Sequence, residues 1–324
     1  MRFDLFWVLM GRTAYVFAPL YLIPFAYGII VGDASTGFFL VLSVLTFILG
    51  MVFGNMGRSH MRQLSVQEGT FFLLAVWFLL AVLGMLPFHL AGLHLSPADT
   101  FFECISALTT TGMTAFGDAL PPSLLLWRAL MSWFGGLLFI VILVTVLPVV
   151  SGCFGVDFNV RQARLFSPLW NRMTRPMHEM TLLYIAITIA AALLYLAGGD
   201  TVFSALLLAL YTIASGAGPM VGDLPPTPSL MLAGGLSALL SALPLLTIRQ
   251  LLHRRGEVDV LRHTELQAFC LLFLSAGLVL TIPALLCSTS APMDAISYGF
   301  FYAISFLSTN GLLLAGAIPD HGGA

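Results

Sequence analysis

The stretch that leaves this chain the fewest options is residues 99–118, Asp-Thr-Phe-Phe-Glu-Cys-Ile-Ser-Ala-Leu-Thr-Thr-Thr-Gly-Met-Thr-Ala-Phe-Gly-Asp. Apolar segments flank it at 71–90 and 124–150, each long enough for a bilayer crossing, which takes about 20 apolar residues. The run 96–108 between them is too short to cross, and it leads into three threonines and a glycine. Helical backbone must therefore stop partway. Irregular backbone at membrane depth is tolerated only where it lines a water-filled cavity or is buried in protein. A half-helix ending in a Thr/Gly stretch is one way to present carbonyl oxygens to a desolvated cation. For a single copy, a loop outside the membrane with a short interfacial helix is the competing reading.

Repetition favours the first reading. Ser-Ala-Leu-Thr-Thr-Thr-Gly at 106–112 returns as Ser-Phe-Leu-Ser-Thr-Asn-Gly at 305–311, and each glycine has another five residues on, Gly117 and Gly316. A weaker copy lies around 211–219. There Gly222-Asp223-Leu-Pro-Pro-Thr-Pro-Ser-Leu echoes Gly117-Asp118-Ala-Leu-Pro-Pro-Ser-Leu, which puts Ala217 at the position of Gly112. A repeated span–half-helix–span unit is the sequence sign of a pore built from like parts around an axis.

Composition agrees. Of 324 residues 59% are hydrophobic and only 9% charged, with mean hydropathy +0.99. Such a chain is an all-α membrane protein; its long apolar runs are not the alternating strands of an outer-membrane barrel. A net charge of −2 gives no reason to expect nucleic acid as a partner. Cys104, Cys153, Cys270 and Cys287 are scattered singly with no metal spacing, so they read as small apolar helix residues. The apolar N-terminus has no small-residue cleavage site and reads as a retained helix.

In chain order the expectation is about seven spans plus three re-entrant half-helices. A leading helix pair fills 1–60, its first span (3–30) interrupted by Pro19 and Pro24. A first pore repeat runs 61–160, a second 161–262, and a third, incomplete, 263–324. Spans are expected near 38–53, 71–90, 124–150, 181–196, 229–248 and 266–287. All thirteen basic residues are arginine, and ten of them fall in the connections 54–68, 151–180 and 249–263. Arginine-rich loops stay cytoplasmic. That places the N-terminus inside, provided the half-helices re-enter from the other face.

Arg128 lies instead within Leu-Leu-Trp-Arg-Ala-Leu. Snorkelling to the outer interface is one reading and bracing of the pore-loop backbone the other. Glu103, in the first half-helix, either attracts cations at the outer mouth or pairs with Arg128. His89 and His94 read as interfacial decoration, and His178-Glu179 does not extend to a His-Glu-x-x-His site. The pairs Gly135-Gly136 and Gly234-Gly235 read as places of close helix approach.

Residues 66–88 (Val-Gln-Glu-Gly-Thr-Phe-Phe…Gly-Met-Leu-Pro-Phe), 101–114 and 121–136 (Pro-Pro-Ser-Leu-Leu-Leu-Trp-Arg-Ala-Leu-Met-Ser-Trp-Phe-Gly-Gly) resemble the first pore repeat of TrkH-type potassium transporters, of the Trk/Ktr/HKT class. The resemblance is specific over 60–150 and mostly architectural beyond about 200. It implies a pore of four such repeats passing K⁺, often Na⁺ as well, with no cofactor. It further implies a homodimer in the bacterial inner membrane and a cytosolic nucleotide-binding regulatory subunit. By motif, Thr109, Thr110, Thr111 and Gly112 carry over as filter residues, as do Ser308, Thr309, Asn310 and Gly311. Ala214, Ser215, Gly216 and Ala217 hold the second filter, where the family has Gly-Gly in place of Gly216-Ala217. The family's Ser-Thr-Gly-Gly-Gly stretch is also absent from the helix after it.

The reading is thus passive, selective cation permeation, with filter carbonyls replacing the hydration shell and half-helix C-terminal ends adding negative potential. Two rivals stand beside it. One is a non-conducting or partial subunit assembling with another transporter chain, which Ala217 and the missing fourth repeat would favour. The other is a membrane enzyme, for which the spans offer almost no intramembrane His, Asp or Glu.

Overall fold

The computed structural model describes residues 4–33, 36–57, 66–92, 95–116, 120–145, 170–216, 227–243, 264–287 and 292–314. Ala217, Gly117, Gly222, Gly316, His94, Cys153 and the arginines at 58, 62, 161, 164 and 249–262 lie outside the described residues. Helices account for nearly all of what is described: α1 Asp4–Phe17, a 3-10 turn Ala18–Tyr21, α2 Leu22–Val31, α3 Gly37–Met56, α4 Val66–Leu90, α5 Pro97–Leu108, α6 Pro122–Thr145, α7 Trp170–Ala197, α8 Val202–Ala214, α9 Pro228–Ala242, α10 Thr264–Cys287 and α11 Pro292–Leu307.

Five described stretches are long and apolar enough to cross a membrane: Leu5–Val31, Gly37–Met56, Phe71–Leu90, Pro122–Ile142 and His178–Ala197. The span expected at 229–248 is helical over Pro228–Ala242, where Leu243 turns extended (φ −73°, ψ 129°). Pro244 follows, and a proline pushes the residue before it out of the helical region. The break expected at Pro19 is the 3-10 turn between α1 and α2.

The chain divides into two compact units, Met1–Glu179 and Met180–Ala324. In the first, the leading helices pack on the repeat behind them, and proline chemistry explains how. Pro87 lies inside α4; lacking an N–H, it frees the carbonyl four residues back. That carbonyl is Leu83 O, and the Tyr21 hydroxyl donates to it at 2.8 Å. The indole of Trp127 donates to the neighbouring Gly84 O at 2.9 Å. In lipid an unmet carbonyl costs several kcal/mol, so the kink has its own partners built in. Tyr21 stacks on Trp127 (4.3 Å), with Phe17 and Phe39 edge-on to it. This aromatic core therefore sits one residue from Arg128.

In the second unit α8 packs on α9, while α11 packs on α10 and α9. Leu271, Leu274 and Leu278 leave an exposed apolar stripe down α10, spaced as one helical face.

Candidate functional site

The three half-helices α5, α8 and α11 have 12, 13 and 16 residues, about 18–24 Å at 1.5 Å per residue, short of the roughly 30 Å apolar core of a bilayer. Their starts are specified locally. Ser96 caps α5, its Oγ accepting from Asp99 N while donating to the Asp99 carboxylate, with Pro97 in the first turn. Thr201 caps α8 by accepting from Ser204 N. Side-chain caps of this kind satisfy donors that a helix start leaves open.

Their ends are the same turn three times. Thr110, Ser215 and Thr309 are the described non-glycine residues with positive φ, at 56°, 54° and 57°. Each makes the same pair of backbone bonds. Thr110 N donates to Ala107 O and Thr111 N to Ser106 O; Ser215 N to Thr212 O and Gly216 N to Tyr211 O; Thr309 N to Phe306 O and Asn310 N to Ser305 O. This is the Schellman ending, which normally takes glycine at the left-handed position. A β-branched residue there is a genuine outlier that surrounding structure must hold. Thr110, Ser215 and Thr309 stand two residues before Gly112, Ala217 and Gly311, so the turns share the register that the sequence repeat predicts. Gly112 (φ 80°) and Gly311 (φ 62°) are left-handed again.

Hydroxyls repeat with the backbone. Thr109 Oγ1 donates to Ile105 O (2.7 Å) and Ser308 Oγ to Ile304 O (2.6 Å). With its hydrogen so used, Thr109 accepts from Thr111 at 2.8 Å. Ser106 donates to Met113 O (2.6 Å) and Ser305 to Leu312 O (2.8 Å), each carbonyl belonging to the residue after the glycine. These two serines were part of the repeated motif, but the sequence alone assigned them no role. Their recurrence six residues before each glycine was the available signal.

Beyond Gly112 the first copy is held by charge. Glu103 and Arg128 are fully buried and paired through Arg128 Nε. Glu103 Oε2 accepts from Ala115 N (2.7 Å) and Thr114 Oγ1 (3.1 Å), and Arg128 Nη2 donates to Met113 O (3.1 Å). Arg128 thus does not reach the interface, and Glu103 does not face solvent. Together they fix residues 113–115 against α5. Behind the turn, α6 touches α5 at Gly135, where an added Cβ would collide with the Leu108 carbonyl and lie 2.8 Å from Leu108 Cα. Asp33, from the turn after α2, accepts from Ser123 N and Oγ at the start of α6, a partner that sequence reading did not find.

The third copy is held differently. Tyr302 occupies the place of Glu103, a neutral hydroxyl where the first copy has a carboxylate. Asn310, 1% exposed, donates through Nδ2 to Ser241 Oγ on α9 (3.0 Å). In the second copy Ala214 and Gly216 are buried and Ser215 partly so. No group of three His, Cys, Asp or Glu side chains among the described residues could hold a metal, and His89 is exposed.

Spanning helices alternating with half-helices that end in one recurrent turn define the class: an all-α, multi-pass membrane protein of helix–pore-loop–helix units. A family model described as TrkH, cation transport protein, matches residues 38–206, just over half the chain. The chain belongs to that family, one of ion transporters rather than enzymes. It is 32% identical over 229 residues to the Trk system potassium uptake protein TrkH of Escherichia coli K12, covering 67% of this chain and 46% of that protein. With TrkI of Halomonas elongata it shares 30% over 249 residues, 72% of this chain and 49% of that one. The solved potassium transporter TrkH from Vibrio parahaemolyticus superposes with a TM-score of 0.81 at 26% identity, over 94% of this chain and 64% of that structure. The chain spans about half the length of these curated relatives.

Proposed function

We propose that this chain takes part in potassium uptake, passing K⁺, and Na⁺ less readily, through a path whose filter carries Thr109–Gly112, Ala214–Ala217 and Ser308–Gly311. The observation that supports it is the left-handed turn made at the same register by Thr110, Ser215 and Thr309 with the same two backbone bonds. A half-helix closed this way ends with carbonyl groups that have no helical donor, the negative end of its dipole. Non-helical backbone beyond it offers oxygens that replace a cation's water shell. Glu103 and Arg128 act as support for the loop and carry no ion. The same reading takes the protein to sit in the bacterial inner membrane, with its N-terminus in the cytoplasm on the strength of the arginine-rich connections, and to work as a homodimer with a cytosolic nucleotide-binding regulatory subunit, as its resemblance to the family suggests.

Growth of cells lacking their own potassium uptake tests the reading. The full-length protein is expected to restore growth at low K⁺ and to drive rubidium uptake that K⁺ competes far better than Na⁺. Absence of any cation uptake from well-expressed, membrane-inserted protein would contradict it.

A further inference from the structure

In copy one, filter and support belong to a single repeat. Copy three instead borrows from the repeat before it. Ser241 sits in the last turn of α9, just ahead of the extended Leu243. Its hydroxyl donates to Ala238 O at 2.9 Å. A hydroxyl has one hydrogen, so toward Asn310 it can only accept, and the amide must turn its NH₂ that way. Asn310 Oδ1 is left buried with no partner among the described residues. The backbone N–H of this same residue closes the Schellman turn on Ser305 O. Fixing the side chain therefore fixes the turn.

α9 is shaped for the contact. A Cβ at Gly235 would just reach Ile304 of α11, at 4.0 Å, and Ala238 is fully buried, so α11 lies close enough for a short amide to span. One turn before Ser241, Ser237 is buried beside Tyr195, whose hydroxyl meets Thr212 of α8 at 2.9 Å. Thr212 O in turn receives Ser215 N. One face of α9 thus touches the third copy's turn directly and reaches the second copy's through Tyr195.

We propose that Ser241 and Asn310 set the ion preference of the third filter copy, with Ser241 acting as a positioning residue through Asn310; this rests on the permeation reading above. Selectivity, whether set by cavity size or by the number and field of carbonyl ligands, needs backbone held in place. The link supplies that hold where copy one uses an ion pair. Ser241, in the last turn of α9, lies within hydrogen-bond reach of the third turn.

The test is rubidium uptake into liposomes containing the full-length protein, with K⁺ and Na⁺ as competitors. Losing one buried hydrogen bond is expected to lower the K⁺-over-Na⁺ preference about 3–10-fold in Ser241→Ala and in Asn310→Ala. The double variant should be no worse than the weaker single one, and Ser241→Thr, which keeps the hydroxyl, should retain the preference. Should Asn310→Ala fail to fold, the Ser241→Ala and Ser241→Thr pair decides. An unchanged preference in Ser241→Ala, or effects that multiply in the double variant, would overturn the inference while leaving the pore reading intact. No cation flux from the unaltered protein would overturn both.

Discussion

Copies one and three close their half-helices alike and then diverge. In copy one a carboxylate and a guanidinium, both fully buried, engage residues 113–115 through three hydrogen bonds besides their own pairing. In copy three the matching place is taken by Tyr302, and the hold comes from neutral groups: Ser305 on Leu312 O and Ser241 on Asn310. The turn is thus the conserved demand of the architecture within this chain, while its support is local and replaceable. Charge and neutral supports should also fail differently. A buried ion is very costly once its partner is gone, whereas a neutral hydrogen bond fails gently.

The largest expected effect follows from that asymmetry. Arg128→Met strands Glu103 in an apolar site and is expected to cost about 3–5 kcal/mol, read as a large drop in thermal stability of the purified protein. Glu103→Leu with Arg128→Met should recover much of that stability, since apolar replacement of a buried pair is often neutral. Cation preference should stay poor in the double variant, because Ala115 N has lost its acceptor and Met113 O keeps only Ser106. A single variant as stable as the parent would show that the pair does not hold copy one.

Next comes the helix contact. Gly135→Ala forces a methyl against the Leu108 carbonyl, an overpacking worth about 1–3 kcal/mol, and should depress uptake. Gly235→Ala, whose Cβ meets only Ile304 at ordinary distance, should leave stability nearly unchanged. Equal effects would remove the close approach as the reason for glycine at 135.

Smaller still is the serine pair. Met113 O keeps Arg128 when Ser106 is lost, whereas Ser305 is the side chain that donates to the buried Leu312 O. Ser305→Ala should therefore destabilise by about 1–3 kcal/mol and Ser106→Ala by less, the difference between stranding a buried acceptor and sharing one. The reverse order, measured by thermal unfolding, would break the comparison.

Much of this could be read from residues alone, for identifiable reasons. The half-helices announce themselves because Ser-Pro and Asp-Thr starts and Thr/Gly ends are local signals that need no tertiary context. Membrane class follows from apolar length. Arg128 and Glu103 were both visible, yet which reading applied depended on whether the arginine faced inward, a fact set by how α6 packs on α5. Asp33 with Ser123, Tyr21 with Leu83, and Ser241 with Asn310 span 90, 62 and 69 residues of sequence. Small polar side chains at such separations leave no periodic trace. The second copy was the hardest to align, because Ala214 and Ala217 replace the residue types that mark the others. Ser215, with its left-handed φ of 54°, restores the register.

The most direct measurement concerns Gly112, left-handed at φ 80° and two residues beyond the strained Thr110. A side chain there meets a steric penalty of roughly 1–2 kcal/mol and projects a Cβ from the loop. Competition of K⁺ and Na⁺ against rubidium uptake should be compared between the parent protein and Gly112→Ser, both confirmed as folded. The arrangement described here predicts that Gly112→Ser takes up cations with a markedly reduced preference for K⁺. A folded, active Gly112→Ser protein with the parent's K⁺-over-Na⁺ preference would remove this loop from the filter.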